Sequence, residues 1–163
     1  VKCSSTLASP LAAAALALGL AVTAGALAGS ELVPVEIVDL SIPRPLTDVP
    51  GDPVAGRLTV RDTSLATCLI CHDLPIPEDR DHGTIGPPLA GVGSRYSAAE
   101  LRLRLVNPKI INPDTIMPAY YRLDGLNRVA LPYQGKTLYT AQQIEDVVAY
   151  LMTLTEETEA GAP

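Results

Sequence analysis

Behind Thr140, apolar residues recur at Ile144, Val147, Val148, Leu151 and Leu154, the three-and-four spacing of one helical face. Thr140-Ala141-Gln142-Gln143 in front of them reads as a capping box, so the pattern predicts a helix over 141–154. Ser97-Ala98-Ala99-Glu100 reads the same way and opens a helix to about Val106, where Asn107-Pro108 stops it. Asp52-Pro53 sets an N-cap with proline at the first helical position and predicts a helix from about 53 to the low 60s. Between these segments the periodicity lapses. Residues 73–94 hold Gly83, Gly86, Gly91 and Gly93 among Pro75, Pro77, Pro87 and Pro88. Residues 107–139 carry Pro108, Pro113, Pro118 and Pro132. Both read as long loops. Long loops without structure of their own, in a compact domain this small, are functional or held by something.

Residues 29–53 carry five prolines and the alternating stretch Val33-Pro34-Val35-Glu36-Ile37-Val38, which predicts an extended arm and not a helix. Val35, Ile37, Val38, Leu40 and Ile42 are apolar for a solvated tail, so packing and a mobile linker both stay open. The outline is all-α, with an arm over 29–51, a domain over 52–155 and an acidic tail over 156–163.

The first 28 residues change the picture. Lys2 is their only charge, Leu11 to Ala28 is Ala- and Leu-rich, and Ala26-Leu27-Ala28 is an A-x-A-like cleavage site. This predicts a secretory signal peptide over 1–28, with a retained anchor as the competing reading. Export implies the periplasm of a bacterium, and no membrane attachment after cleavage. Residues 29–163 then hold 11 Lys and Arg against 18 Asp and Glu, a balance that argues against general nucleic-acid binding. The chain has six Tyr but no Phe and no Trp. A domain of this size leans on large aromatics for buried area, so either the core is aliphatic or a non-protein group fills it.

Cys68-Leu69-Ile70-Cys71-His72 is C-x-x-C-H, the attachment motif of a c-type haem. Two thiols three residues apart on one turn face the same way and can form thioethers with the two vinyl groups of a porphyrin. The adjacent His72 then supplies an axial imidazole to the iron. A thioredoxin-like pair would need a strand before the motif, and a zinc site would need two further ligands at fitting spacing. Neither is visible, so one covalent haem c is expected. For the sixth ligand the exported chain offers Met117, Met152, His82, Lys109 and Lys136. His82 follows His72 by only ten residues, and Met152 falls on the apolar side of the last helix. Met117 lies between Pro113 and Pro118 in a loop long enough to cross a macrocycle, and it is the expected ligand.

Gly86-Pro87-Pro88-Leu89-Ala90-Gly91-Val92-Gly93, Met117-Pro118 and the 141–154 helix, together with C-x-x-C-H, resemble a class I cytochrome c over about 52–155. The resemblance implies that the carbonyl of Pro87 orients His72 through its Nδ1–H. Ile116-Met117-Pro118-Ala119-Tyr120-Tyr121-Arg122, Asp124-Gly125-Leu126 and the run from Gln142 to Leu154 narrow it: the chain resembles the SoxX family. SoxX is the small monohaem subunit of the SoxAX complex of sulfur-oxidising bacteria.

That resemblance implies a role. SoxAX cytochromes join thiosulfate oxidatively to a cysteine of the carrier protein SoxYZ, as L-cysteine S-thiosulfotransferases. The bond-forming site lies on the SoxA-like subunit. The electrons pass on to a small cytochrome c acceptor. This chain would then be the electron-accepting subunit of a heterodimer, with no catalytic residue of its own. Its two cysteines after the leader would both be consumed by thioethers. The competing function is a free, diffusible periplasmic class I cytochrome c. Six cations against three acids between Arg95 and Arg128 suggest a docking or propionate-binding region, with Arg102 and Arg104 expected on a solvated helix face. Tyr120 and Tyr121 could anchor a partner or cover the haem edge.

Overall fold

The computed structural model describes residues 32–65 and 67–156. The expected leader and all but the first residue of the expected acidic tail lie outside the described residues. Among the described residues four helices form: α1 (Pro53–Arg61), α2 (Val92–Arg95), α3 (Ala98–Val106) and α4 (Ala141–Thr153). Single 3₁₀ turns stand at Cys68–Ile70, Pro108–Ile110 and Leu131–Tyr133. Among the described residues the only β pairing is an isolated bridge between Val38 and Ser41. No helix among them is long and apolar enough to cross a membrane.

The caps form where the residues call for them. The Asp52 carboxylate accepts from Val54 N at 2.8 Å, and Pro53 needs no partner for a missing N–H. Ser97 and Glu100 close a reciprocal box, as do Thr140 and Gln143. The helix α2 is an addition to the expected outline. Its four residues lie inside the Gly- and Pro-rich loop, started by Gly91 in the left-handed region at φ +65°. One turn is too short to leave a readable period.

The long helix α4 packs against α1, α2 and α3. Its apolar face, Ile144, Val147, Val148 and Leu151, is buried as expected, and Leu154 just beyond it is buried too. Contact with α1 is backbone to backbone. A Cβ at Gly56 would lie 1.9 Å from the carbonyl oxygen of Asp146, so only glycine permits this crossing. The core is aliphatic with four buried tyrosines, Tyr120, Tyr121, Tyr139 and Tyr150.

The arm packs mainly in its second half, with Leu32 at its start partly buried against the core. Ile42 and Leu46 are buried, whereas Val33, Val35, Ile37, Val38 and Leu40 are exposed. Polar groups hold it. Ile42 N donates to Ala99 O at 3.0 Å, and Leu46 N donates to the buried Glu145 carboxylate at 2.8 Å. Arg102 on α3 donates to both Glu145 oxygens (2.7 and 2.8 Å) and to Ile42 O (2.7 Å). Arg102 is therefore not on a solvated face. With the arm lying over α3, that helix is covered on the side its charge would have exposed. The guanidinium is buried and satisfied instead. Arg104 is half-buried, its guanidinium 3.9 Å from the centroid of the Tyr96 ring.

Candidate haem site

The C-x-x-C-H segment folds as a tight turn. Thr67 caps it through its side chain, accepting from Leu69 N at 3.3 Å, and Cys71 N and His72 N both donate to Cys68 O (3.1 and 2.9 Å). The turn is sewn to the following loop. Gly83 N donates to Leu69 O, Gly86 N to Cys71 O and Leu89 N to Asp73 O, at 2.7, 2.7 and 2.9 Å. That lacing brings Pro87 back over His72. The His72 Nδ1 lies 2.7 Å from Pro87 O. A carbonyl only accepts, so Nδ1 carries the proton and Nε2 keeps its lone pair, the form that binds a metal. Gly86 makes the approach possible, because a Cβ there would stand 2.3 Å from His72 Cε1.

An apolar cleft of about 270 Å³ opens beside this turn. Cys68, His72, Pro87 and Leu89 line it from the motif and its loop, and Val92, Arg95 and Tyr96 from around α2. Leu101, Arg104 and Leu105 come from α3 and Leu151 from α4. Ile111, Thr115, Met117 and Tyr120 complete it from the second long loop. Met117 is half-buried there. Cys71, also half-buried, closes the turn but is not among the lining residues.

The other candidates for an axial position stand elsewhere. Met152 is half-buried against the core and does not line the cleft. His82 has Nδ1 2.8 Å from the Asp73 carboxylate and does not line the cleft. Lys109 Nζ donates to Thr115 O and Pro113 O, and Lys136 Nζ donates to Pro132 O. Only Met117 shares the cleft with His72.

The electrostatics are those of a dry site. Burial pushes the Cys68 thiol up to about 11, with the Tyr139 and Tyr120 hydroxyls opposing it weakly. Burial likewise raises the phenols of Tyr120 and Tyr139. Their rings stack with centroids 4.6 Å apart and planes inclined by 25°. Neither Tyr120 nor Tyr121 is a surface anchor: Tyr120 is in the cleft wall, and the buried Tyr121 accepts from Val33 N at 3.0 Å. A flat apolar group with an iron centre suits these residues. The donors in reach are an imidazole nitrogen and a thioether, with a neutral cysteine in the wall and two arginines, Arg95 and Arg104, beside them.

Two contributors escape a reading of the sequence. Gly86 acts by having no side chain, which no pattern announces. Tyr139 stands one residue before a helix cap and Ile144 four residues into the helix, the spacing of a hydrophobic staple, and both are fully buried. That spacing is the signal by which Tyr139 could be found.

Residues 62–155 match the cytochrome c family model, and the chain belongs to the cytochrome c family, whose c-type haem it binds covalently. No curated protein sequence matches it. Among solved structures the chain is similar to one in the crystal structure of SoxXA from P. pantotrophus. The two are 38% identical, with 75% of this chain and 95% of that one covered and a TM-score of 0.69. Within the cytochromes c, that similarity places it with SoxX, an electron-transfer subunit.

Proposed function

We propose that this chain is the electron-accepting subunit of a SoxAX-type S-thiosulfotransferase, paired with a SoxA-like subunit in the periplasm. The observation that carries this reading is the similarity along 95% of a chain of SoxXA. In the reaction a carrier cysteine of SoxYZ and thiosulfate join as a cysteine S-thiosulfonate, releasing one proton and two electrons. Bound haem c supplies a one-electron Fe(III)/Fe(II) couple.

The chain's own residues hold and tune that couple. Cys68 and Cys71 would hold a single haem c through thioethers, and His72 and Met117 would supply an imidazole nitrogen and a thioether sulfur to its iron. Pro87 O accepts a hydrogen bond from His72 Nδ1–H, fixing the ring and its tautomer. Leu101, Leu105, Leu151 and Tyr120 exclude water from the cleft. A dry wall disfavours the more highly charged oxidised centre, and a thioether ligand acts in the same direction. With His72 and Met117 both given to the iron and Cys68 and Cys71 both given to thioethers, this chain would offer substrate neither an open iron nor a thiol. A one-electron couple would pass the two electrons on one at a time, to a small cytochrome c acceptor.

The test mixes the haem-loaded chain with thiosulfate and SoxYZ-type carrier, with and without a SoxA-like subunit, and follows the haem absorbance. Reduction only with the partner is expected. Rapid reduction without it would move the chemistry onto this chain. No reduction with the full set would favour a free diffusible carrier.

A further inference from the structure

The loop that carries Met117 is held mostly from within. Thr115 N donates to Asn112 O at 3.1 Å, Asp114 N to Asn112 Oδ1 at 3.0 Å, and Met117 N to Thr115 Oγ1 at 3.2 Å. Beyond Met117, Tyr120 N donates to Leu105 O at 2.9 Å, which returns the chain to α3. On the near side the tie is Lys109. It sits on the 3₁₀ turn that directly follows α3, and its Nζ donates to Thr115 O at 2.7 Å and Pro113 O at 3.2 Å. Thr115 thus receives the ammonium on its carbonyl and the Met117 amide on its hydroxyl.

We propose that Lys109 is a positioning residue for Met117. The inference rests on Met117 being the axial thioether. An ammonium has donors only, so aimed at two carbonyls it fixes two peptide planes of the loop with charge-assisted bonds. The Thr115 plane sets where Thr115 Oγ1 lies, and Oγ1 holds the amide of Met117. A thioether is a weak ligand, so its hold on iron is sensitive to the opening free energy of the loop. Losing the brace leaves the iron–sulfur chemistry intact but raises the population of loop-open molecules. Exposed bonds of this kind convert to about a three- to ten-fold change.

The experiment uses the oxidised, haem-loaded chain and imidazole as the probe. Imidazole enters where the methionine leaves, and its entry erases the weak red-end absorption band of a Met–Fe(III) bond. Lys109→Met is expected to keep the band but take up imidazole about three- to ten-fold faster or more tightly. Lys109→Arg should restore the wild-type value to within about two-fold, and Lys136→Met should match wild type. Wild-type uptake by Lys109→Met would overturn the proposal. So would a slowed uptake, or a gain equally large in Lys136→Met. Failure of the underlying reading looks different: the wild-type protein would lack the band, or Met117→Ala would keep it.

Discussion

Arg102 and Glu145 meet fork to fork, Nε and Nη2 standing 2.7 and 2.8 Å from the two carboxylate oxygens, with both side chains buried. The pair joins α3 to α4 and carries the arm with it, through Ile42 O and Leu46 N. Replacing one partner leaves an uncompensated buried charge, so Arg102→Met should cost about 3–5 kcal/mol. The double variant Arg102→Met, Glu145→Met should recover part of that. Denaturant unfolding of the haem-loaded protein checks both. A single variant as stable as wild type would mean the pair contributes nothing.

Gly86→Ala should disturb the iron through His72. The added Cβ would fall 2.3 Å from Cε1, so the ring must turn and give up Pro87 O. Loss of such an outer partner costs about 10–100-fold in metal affinity or activity. The expected signs are a lower yield of haem-loaded protein and displaced hyperfine-shifted proton resonances of the axial histidine. An unchanged spectrum would mean the loop yields instead.

Met117→Ala should abolish the red-end band and lower the potential. Met152→Ala should leave the band and cost about 1–2 kcal/mol of stability, as a half-buried core side chain does. The opposite pattern would transfer the ligand to Met152.

Cys68, His72 and Met117, which the cleft brings together, could be named as candidates in advance, and the reason is chemical. Cys68, Cys71 and His72 must be contiguous to serve one macrocycle, and Met117 was bracketed by prolines. The helix starts were readable because caps are local. Arg102 was misread because the arm that covers it lies sixty residues earlier in the chain, and a helix period cannot report what arrives from so far. For the arm, packing and a mobile linker were both open from the sequence; Ile42 and Leu46 are buried in the core and Leu32 packs partly against it, while Val33, Val35, Ile37, Val38 and Leu40 stay exposed. The braces made by Arg95 on Pro88 O and Ala90 O, and by Lys109, are side chain to backbone and leave no sequence pattern.

The acid limb of stability should depend on the ties between α1 and the loop after the motif. Arg61 donates to Asp79 at 2.5 and 3.1 Å, and Arg57 pairs with Glu78. Hydrogen bonds from these arginines hold both carboxyls below their usual range. A carboxyl lowered in the folded state stabilises above its unfolded pKa and loses that contribution as pH falls through the folded one. Stability should therefore decline as pH falls from about 4 downward, and Asp79→Asn should flatten the decline. Melting temperatures across that range decide it; an unchanged slope in Asp79→Asn would remove this pair from the account.

The cleft takes its walls from Cys68, Tyr120 and Leu151 alike, so nearly the whole cytochrome stretch must close at once. In a chain that never receives haem, about 270 Å³ of apolar space has no filling. Apolar walls that meet water instead of haem lose the burial that would hold them together. An unloaded chain is therefore expected to open more often, and to be cut by proteases sooner, than the loaded one. The cellular level of this protein should follow the rate of haem delivery and attachment, and not the rate at which ribosomes make it.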